Sequence, residues 1–212
     1  MSIQAIMNKL NWEEISYHYY QRYGLHKDLV SLFKLEDIAN FSELLVAINN
    51  EHANYSASDH SLGPQILKEN IHSRKRLYNI SEKFIQLQSP HTVPKLIREA
   101  GLKYFQIGVG SEASCMLNPS VCWVTNTKTV WAHLLFKYAG NVSLANEALK
   151  LYRNSDENSD MAYNKWRAIH QEMGESSNEL IECSKKNSNM DIENMNYLWA
   201  DAISNALYEL NQ

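Results

Sequence analysis

Between Tyr104 and Phe136 the chain runs for 33 residues with only two full charges, Glu112 and Lys128, in a protein of which 21% is charged. A stretch so poor in charge has to be covered by the rest of the chain, because each Å² of apolar surface withdrawn from water is worth roughly 25 cal/mol. The same stretch carries Gly108-Val109-Gly110, two of the three cysteines, Trp123, Trp131, His133 and the hydroxyl-rich run Thr125-Asn126-Thr127-Lys128-Thr129. Polar groups taken inside need hydrogen-bond partners, so this centre is also where buried polar chemistry is expected.

Seven glycines and four prolines in 212 residues are too few to punctuate an all-β architecture, and the apolar spacing is mostly helical. The expected fold is all-α: a single irregular multi-helix domain over residues 1–212, wrapped around a buried central segment 104–136, with at most one short strand pair near residue 104. A net charge of -4 gives no general attraction to phosphate backbones, so nucleic-acid binding is unsupported. Arg74-Lys75-Arg76 falls on a predicted helix, where successive residues fan out by roughly 100° and cannot form one basic face. No apolar window approaches a membrane span, and residues 1–10 lack the core of a secretory signal, which leads to an expected cytoplasmic location. Cys115, Cys122 and Cys183 form no C-x-x-C pair, and neither a metal site nor a cofactor is expected.

Asn11 and Glu14 have the layout of a helix cap, and Trp12, Ile15, Tyr19 and Tyr23 follow at helical spacing until Gly24, predicting a helix over 12–22. Further helices are predicted at 25–34 and 44–57, then a long one entered at Ser61 and Pro64 and ending before Pro90, and a short one over 94–100 closed by Gly101. Tyr104 to Val109 fits a strand or a buried helix equally well. Asn126 or Thr127 caps a helix that is apolar nearly all round and ends at Gly140. Helices follow at 143–153, 160–173, 177–187 and 191–210, with a surface loop over 154–159.

Gly108-Val109-Gly110-Ser111-Glu112-Ala113 matches the G-x-G-x-x-A form of a dinucleotide fingerprint. Pro119 follows too soon, and no acid lies between Ala113 and Glu147 to hold a ribose hydroxyl. Two readings remain: a turn whose N–H groups face an anion or carbonyl, or glycines that let the backbone pass close to a neighbour. Glu112 needs a partner, and Lys128 and His133 are the nearest in sequence. Ser111, Glu112 and His133 include the residue types of a hydrolase triad without its nucleophile elbow, and Cys115 or Cys122 beside His133 would be a thiol alternative. Glu69 and His72 give one E-x-x-H, half of a di-iron pattern.

These residues lead to the expectation of a cytosolic helical binding or accessory protein that meets a small-molecule ligand or a protein partner. Gly108, Gly110, Asn126, Thr127 and Thr129 are its candidate ligand-binding residues. The alternative is an enzyme acting on a phosphorylated or nucleotide-like substrate, with Ser111, Glu112, Lys128 and His133 converging as catalytic groups. The crowd of Trp12, Tyr17, Tyr19, Tyr20 and Tyr23 exceeds what one helix face can bury and marks residues 12–23 as a surface for a homo-oligomer.

Overall fold

The computed structural model describes residues 2–50, 52–153 and 160–211, and among these it contains twelve α-helices, one 3₁₀ turn and no strand. The all-α expectation holds. The loop expected at 154–159 lies outside the described residues.

The chain begins with α1 (Ile3–Met7) and α2 (Trp12–Lys34). Asn11 caps α2 as expected, its side chain accepting from the Glu14 N–H at 3.3 Å. The helix does not stop at Gly24, however, because Tyr19, Arg22, Leu25 and Leu29 continue one buried stripe across it. Burial of that stripe outweighs the roughly 1 kcal/mol that a mid-helix glycine costs.

Next come α3 (Ile38–Leu45), the single turn α4 (Tyr55–Ser58), α5 (Leu62–Glu69) and α6 (Ser73–Ile85). The helix expected over 44–57 is therefore absent as such: α3 ends at Leu45, Ala47 turns left-handed at φ 59°, and α4 begins only at Tyr55. The long helix expected after Ser61 is broken at Asn70. There the side-chain amide donates to Ile66 and Lys103 carbonyls at 2.9 and 3.1 Å and accepts from the Lys103 N–H at 2.8 Å. A side chain satisfying backbone groups replaces the helical bonds, and Ile71 is left 79% exposed.

A 3₁₀ turn at Pro90–Thr92 leads into α7 (Val93–Ala100), which Gly101 closes at φ 59° as expected. Tyr104 takes φ 65°, and α8 (Ile107–Leu117) follows, so the stretch left open between strand and helix resolves as a bend and a helix start. The glycine pair is thus helical and forms no turn. After α9 (Thr127–Lys137) and α10 (Val142–Arg153), α11 (Asp160–Ser184) is continuous where two helices were expected. It runs through Gly174, where Trp123 packs so closely that an added Cβ would lie 3.0 Å from its ring. The last helix, α12 (Asn196–Leu210), is tied to the centre by a bond from the Tyr197 N–H to the Pro119 carbonyl at 3.0 Å.

α8 and α9 form the middle of the molecule. α2, α4, α6 and α7 pack on the first, and α10, α11 and α12 on the second. One apolar cluster runs from Ile6 to Leu207, and within 104–136 every residue but Ser120 is buried or half-buried.

Candidate functional site

Behind the start of α4, three ionisable side chains share one buried place. Arg22 of α2 sets Nη1 2.6 Å from Glu112 Oε1, while its Nη2 lies 3.2 Å from Asp201 Oδ2 of α12 without hydrogen-bond alignment. All three are at most 2% exposed. Glu112 also accepts from the Tyr55 N–H at 2.8 Å, the Ser56 N–H at 3.0 Å and the Ser56 hydroxyl at 2.7 Å. It therefore occupies the anion position of the α4 N-terminus, where unpaired N–H groups favour negative charge, and Asn54 completes the cap through the Ala57 N–H at 3.1 Å.

Burial alone would raise the Glu112 pKa, but the Arg22 charge and the bonds from Ser56 and Arg22 hold it below the ordinary carboxylate range. Asp201 goes the other way: burial pushes it up to about 7, against the pull of Arg22 and helped by the Glu112 charge. One guanidinium cannot keep two buried carboxylates ionised, and the better hydrogen-bonded one keeps the charge.

On the other side of α4 the surface folds inward to a cavity of about 530 Å³. Six aromatic residues line it, Tyr55, Tyr104, Tyr152, Tyr163, Trp166 and Tyr208, and every one is only half-buried. Tyr152 and Trp166 meet edge to face at 5.7 Å. The ring of Tyr55 stands between the ion cluster and the cavity, 4.8 Å from the Arg22 guanidinium and 5.8 Å from Lys128 Nζ.

Lys128 and Arg153 supply positive charge to the lining, Asp59 one negative charge, and His60 an imidazole. Lys128 pairs at 3.1 Å with Glu209, itself 66% exposed, and Arg153 donates to the Tyr208 hydroxyl. The first turn of α8 faces the same space. Gln106 gives it no side-chain cap, and the N–H groups of Ile107, Gly108 and Val109 make no hydrogen bond to any described residue.

Of the residues singled out from the sequence, Gly108, Asn126, Thr127 and Lys128 line this cavity together. The others lie elsewhere. Gly110 packs on α7 with space for no Cβ, since one would come 2.6 Å from Ile97 Cδ1. Thr129 closes the capping box of α9, its hydroxyl accepting from the Asn126 N–H at 3.0 Å. Ser111 is fully buried and spends its hydroxyl on the Gly108 carbonyl and the Thr125 N–H, at 3.2 and 2.8 Å.

Glu112 is held by Arg22 instead of Lys128 or His133. His133 bonds Ser176 of α11 at 2.7 Å, and burial and nearby Lys137 lower its pKa. Ser111, Glu112 and His133 thus keep separate partners and share no hydrogen bond. Burial raises the thiol pKa of Cys115 and Cys122, which opposes a thiolate role. On α2, Tyr17 and Tyr20 remain 62% and 58% exposed, while Tyr19 packs against Trp199 at 5.5 Å.

Sequence reasoning passed over Arg22 and Asp201. Each was visible as a charge in register with an apolar stripe: Arg22 between Tyr19 and Leu25, Asp201 between Leu198 and Ala202. A charge at such a position has to find a buried partner, and the two find the same cluster.

Fold and site together define an all-α protein with a closed ion cluster at its centre and an open, aromatic-walled cavity beside it. No protein-family model matches this sequence, and neither a curated protein nor a solved structure does, so roles for these residues follow from their geometry alone.

Proposed function

We propose that the protein binds a small-molecule ligand in the cavity bordered by α4, α8, α9, α10, α11 and α12. The observation that carries this is the set of six half-buried aromatic rings around about 530 Å³ of open space. Small-molecule sites have volumes of roughly 300–1,000 Å³ and combine apolar walls with a few fixed polar groups. Rings left partly wet forfeit burial that collapse of the wall would recover, whereas a ligand covers them. Binding is preferred to catalysis because Glu112, Ser111 and His133, the acid, hydroxyl and imidazole of the candidate catalytic set, are engaged in separate structural bonds.

Thermal shift with neutral, cationic and anionic metabolites tests the reading, comparing the natural protein with Gly108→Phe. A Cβ at Gly108 meets nothing closer than Ser56 at 3.9 Å, and Gly108 lines the cavity, so a larger side chain there is expected to occupy its space. A true ligand stabilises the natural protein by about 2.7 kcal/mol at a hundredfold excess over its Kd and leaves Gly108→Phe unmoved. The reading fails if no compound separates the two proteins.

A further inference from the structure

Resting on that reading of the cavity, we infer that its occupant is an aromatic organic anion of nucleoside-monophosphate size, with a flat ring among the tyrosines and Trp166 and a phosphate against Lys128 and Arg153. The walls select for a ring. Among the described residues of the lining, Leu62, Ile107 and Val109 offer aliphatic surface against six aromatics, so an acyl chain would find few matching contacts. Base-on-aromatic stacking is worth about 1–3 kcal/mol per ring.

The charges select for an anion. Arg22 meets buried carboxylates, whereas among the described residues neither cation of the cavity does. Among the described residues, Lys128 is paired with the exposed Glu209, and Arg153 donates to the phenol of Tyr208. Exposed pairs of that kind contribute roughly 0–1 kcal/mol, so an incoming phosphate displaces Glu209 at little cost and gains charge-assisted hydrogen bonds. Ile107, Gly108 and Val109 belong to the same lining, and their N–H groups, without a hydrogen bond to any described residue, are further donors.

Asp59 and His60 come from the loop between α4 and α5, a different element from either cation. A carboxylate there would repel a second phosphate and accept from a sugar hydroxyl or a ring amino group. One anionic group, one ring and hydroxyl donors together describe a nucleoside monophosphate.

Isothermal titration calorimetry with the four common nucleoside 5′-monophosphates, their nucleosides, ribose 5-phosphate and inorganic phosphate tests this. The proteins compared are the natural chain, Lys128→Gln, Arg153→Gln, Trp166→Leu and Gly108→Phe, each first checked for helical circular dichroism. At least one monophosphate is expected to bind about tenfold or more tightly than both its nucleoside and ribose 5-phosphate. Lys128→Gln should remove the advantage over the nucleoside, and Trp166→Leu the advantage over ribose 5-phosphate.

Equal binding of nucleoside and monophosphate would overturn the anionic assignment, and equal binding of ribose 5-phosphate would overturn the aromatic one. If neutral or cationic metabolites bind in a way that Gly108→Phe abolishes while every nucleotide fails, the ligand class is wrong and the cavity remains a site. If nothing binds at all, both readings fall.

Discussion

Arg22 Nη1 lies 2.6 Å from Glu112 Oε1, and neither side chain exposes more than 1% of its surface. The pair joins α2 to α8 through the centre of the protein, and Asp201 brings α12 to the same guanidinium. Because Glu112 spends its remaining lone pairs on Tyr55 and Ser56, the cluster also fixes the start of α4, and both of those residues line the cavity. An arrangement this dry is costly to assemble, since desolvating each ion costs several kcal/mol before any attraction is counted. Its consequence for the site is positional: the wall holding Tyr55 stands where the ion cluster puts it.

Arg22→Met is expected to destabilise the fold by roughly 3–5 kcal/mol, because it strands two carboxylates without their cation. Denaturant unfolding followed by circular dichroism measures the loss. The triple variant Arg22→Met, Glu112→Gln, Asp201→Asn removes every charge of the cluster and should recover much of that stability. If Arg22→Met alone unfolds at the natural midpoint, the cluster does not hold the centre together.

Asp201 predicts an unusual pH profile. Its folded pKa, raised to about 7 chiefly by burial, stands above the unfolded value of 3.8. The folded state therefore holds the proton more tightly, and this contribution is complete below about pH 4 and lost as pH rises toward 7. Asp201→Asn should unfold later than the natural protein at pH 7 and above, by on the order of a few kcal/mol, and lose the advantage near pH 4. A variant less stable than the natural protein at pH 8 would refute the assignment.

His170 titrates with the opposite sign over the same range. Buried in α11, it accepts the Thr125 hydroxyl at Nδ1 (2.6 Å) and donates from Nε2 to the Pro90 carbonyl (3.0 Å). Burial first, opposed by the Pro90 bond and helped by His91, lowers its pKa from 6.5 to about 4. Neutral His170 thus contributes stability above pH 6.5 that fades as pH falls toward 4. In the natural protein the Asp201 and His170 slopes oppose each other, so stability between pH 4 and 7 should vary little. Asp201→Asn should unmask a stability that falls with acidification. The double variant with His170→Gln should flatten it, save for the smaller share of His133, whose pKa is also lowered.

What could be read from the sequence was set by how local the cause is. The cap at Asn11, the stop at Gly101 and the covered stretch 104–136 depend on neighbouring residues or on charge density, and the structure has them. The break at Asn70 depends on Lys103, 33 positions away, and the continuity of α11 through Gly174 depends on Trp123, so neither could be seen from local periodicity. The site divides in the same way. Gly108, Asn126, Thr127 and Lys128 stood out as polar or flexible residues in an uncharged stretch. The tyrosines and Trp166 come from four separate helices and the turn before α8, and nothing in their local spacing marks them as one wall.

The two glycines at the start of α8 should respond in opposite directions to the same substitution. At Gly110 a Cβ would sit 2.6 Å from Ile97 Cδ1 and 3.1 Å from Phe105 Cε1, well inside contact distance in a filled core. Gly110→Ala is therefore expected to cost about 1–3 kcal/mol through overpacking, and adding Ile97→Val, which removes the clashing Cδ1, should return part of it. At Gly108 the nearest atom is 3.9 Å away, on the cavity side, so Gly108→Ala should gain up to about 1 kcal/mol of helix propensity. Thermal unfolding of the two single variants decides the matter. Equal destabilisation would mean that both positions are packed, and the open wall beside Gly108 would then have to be abandoned along with the ligand it is proposed to admit.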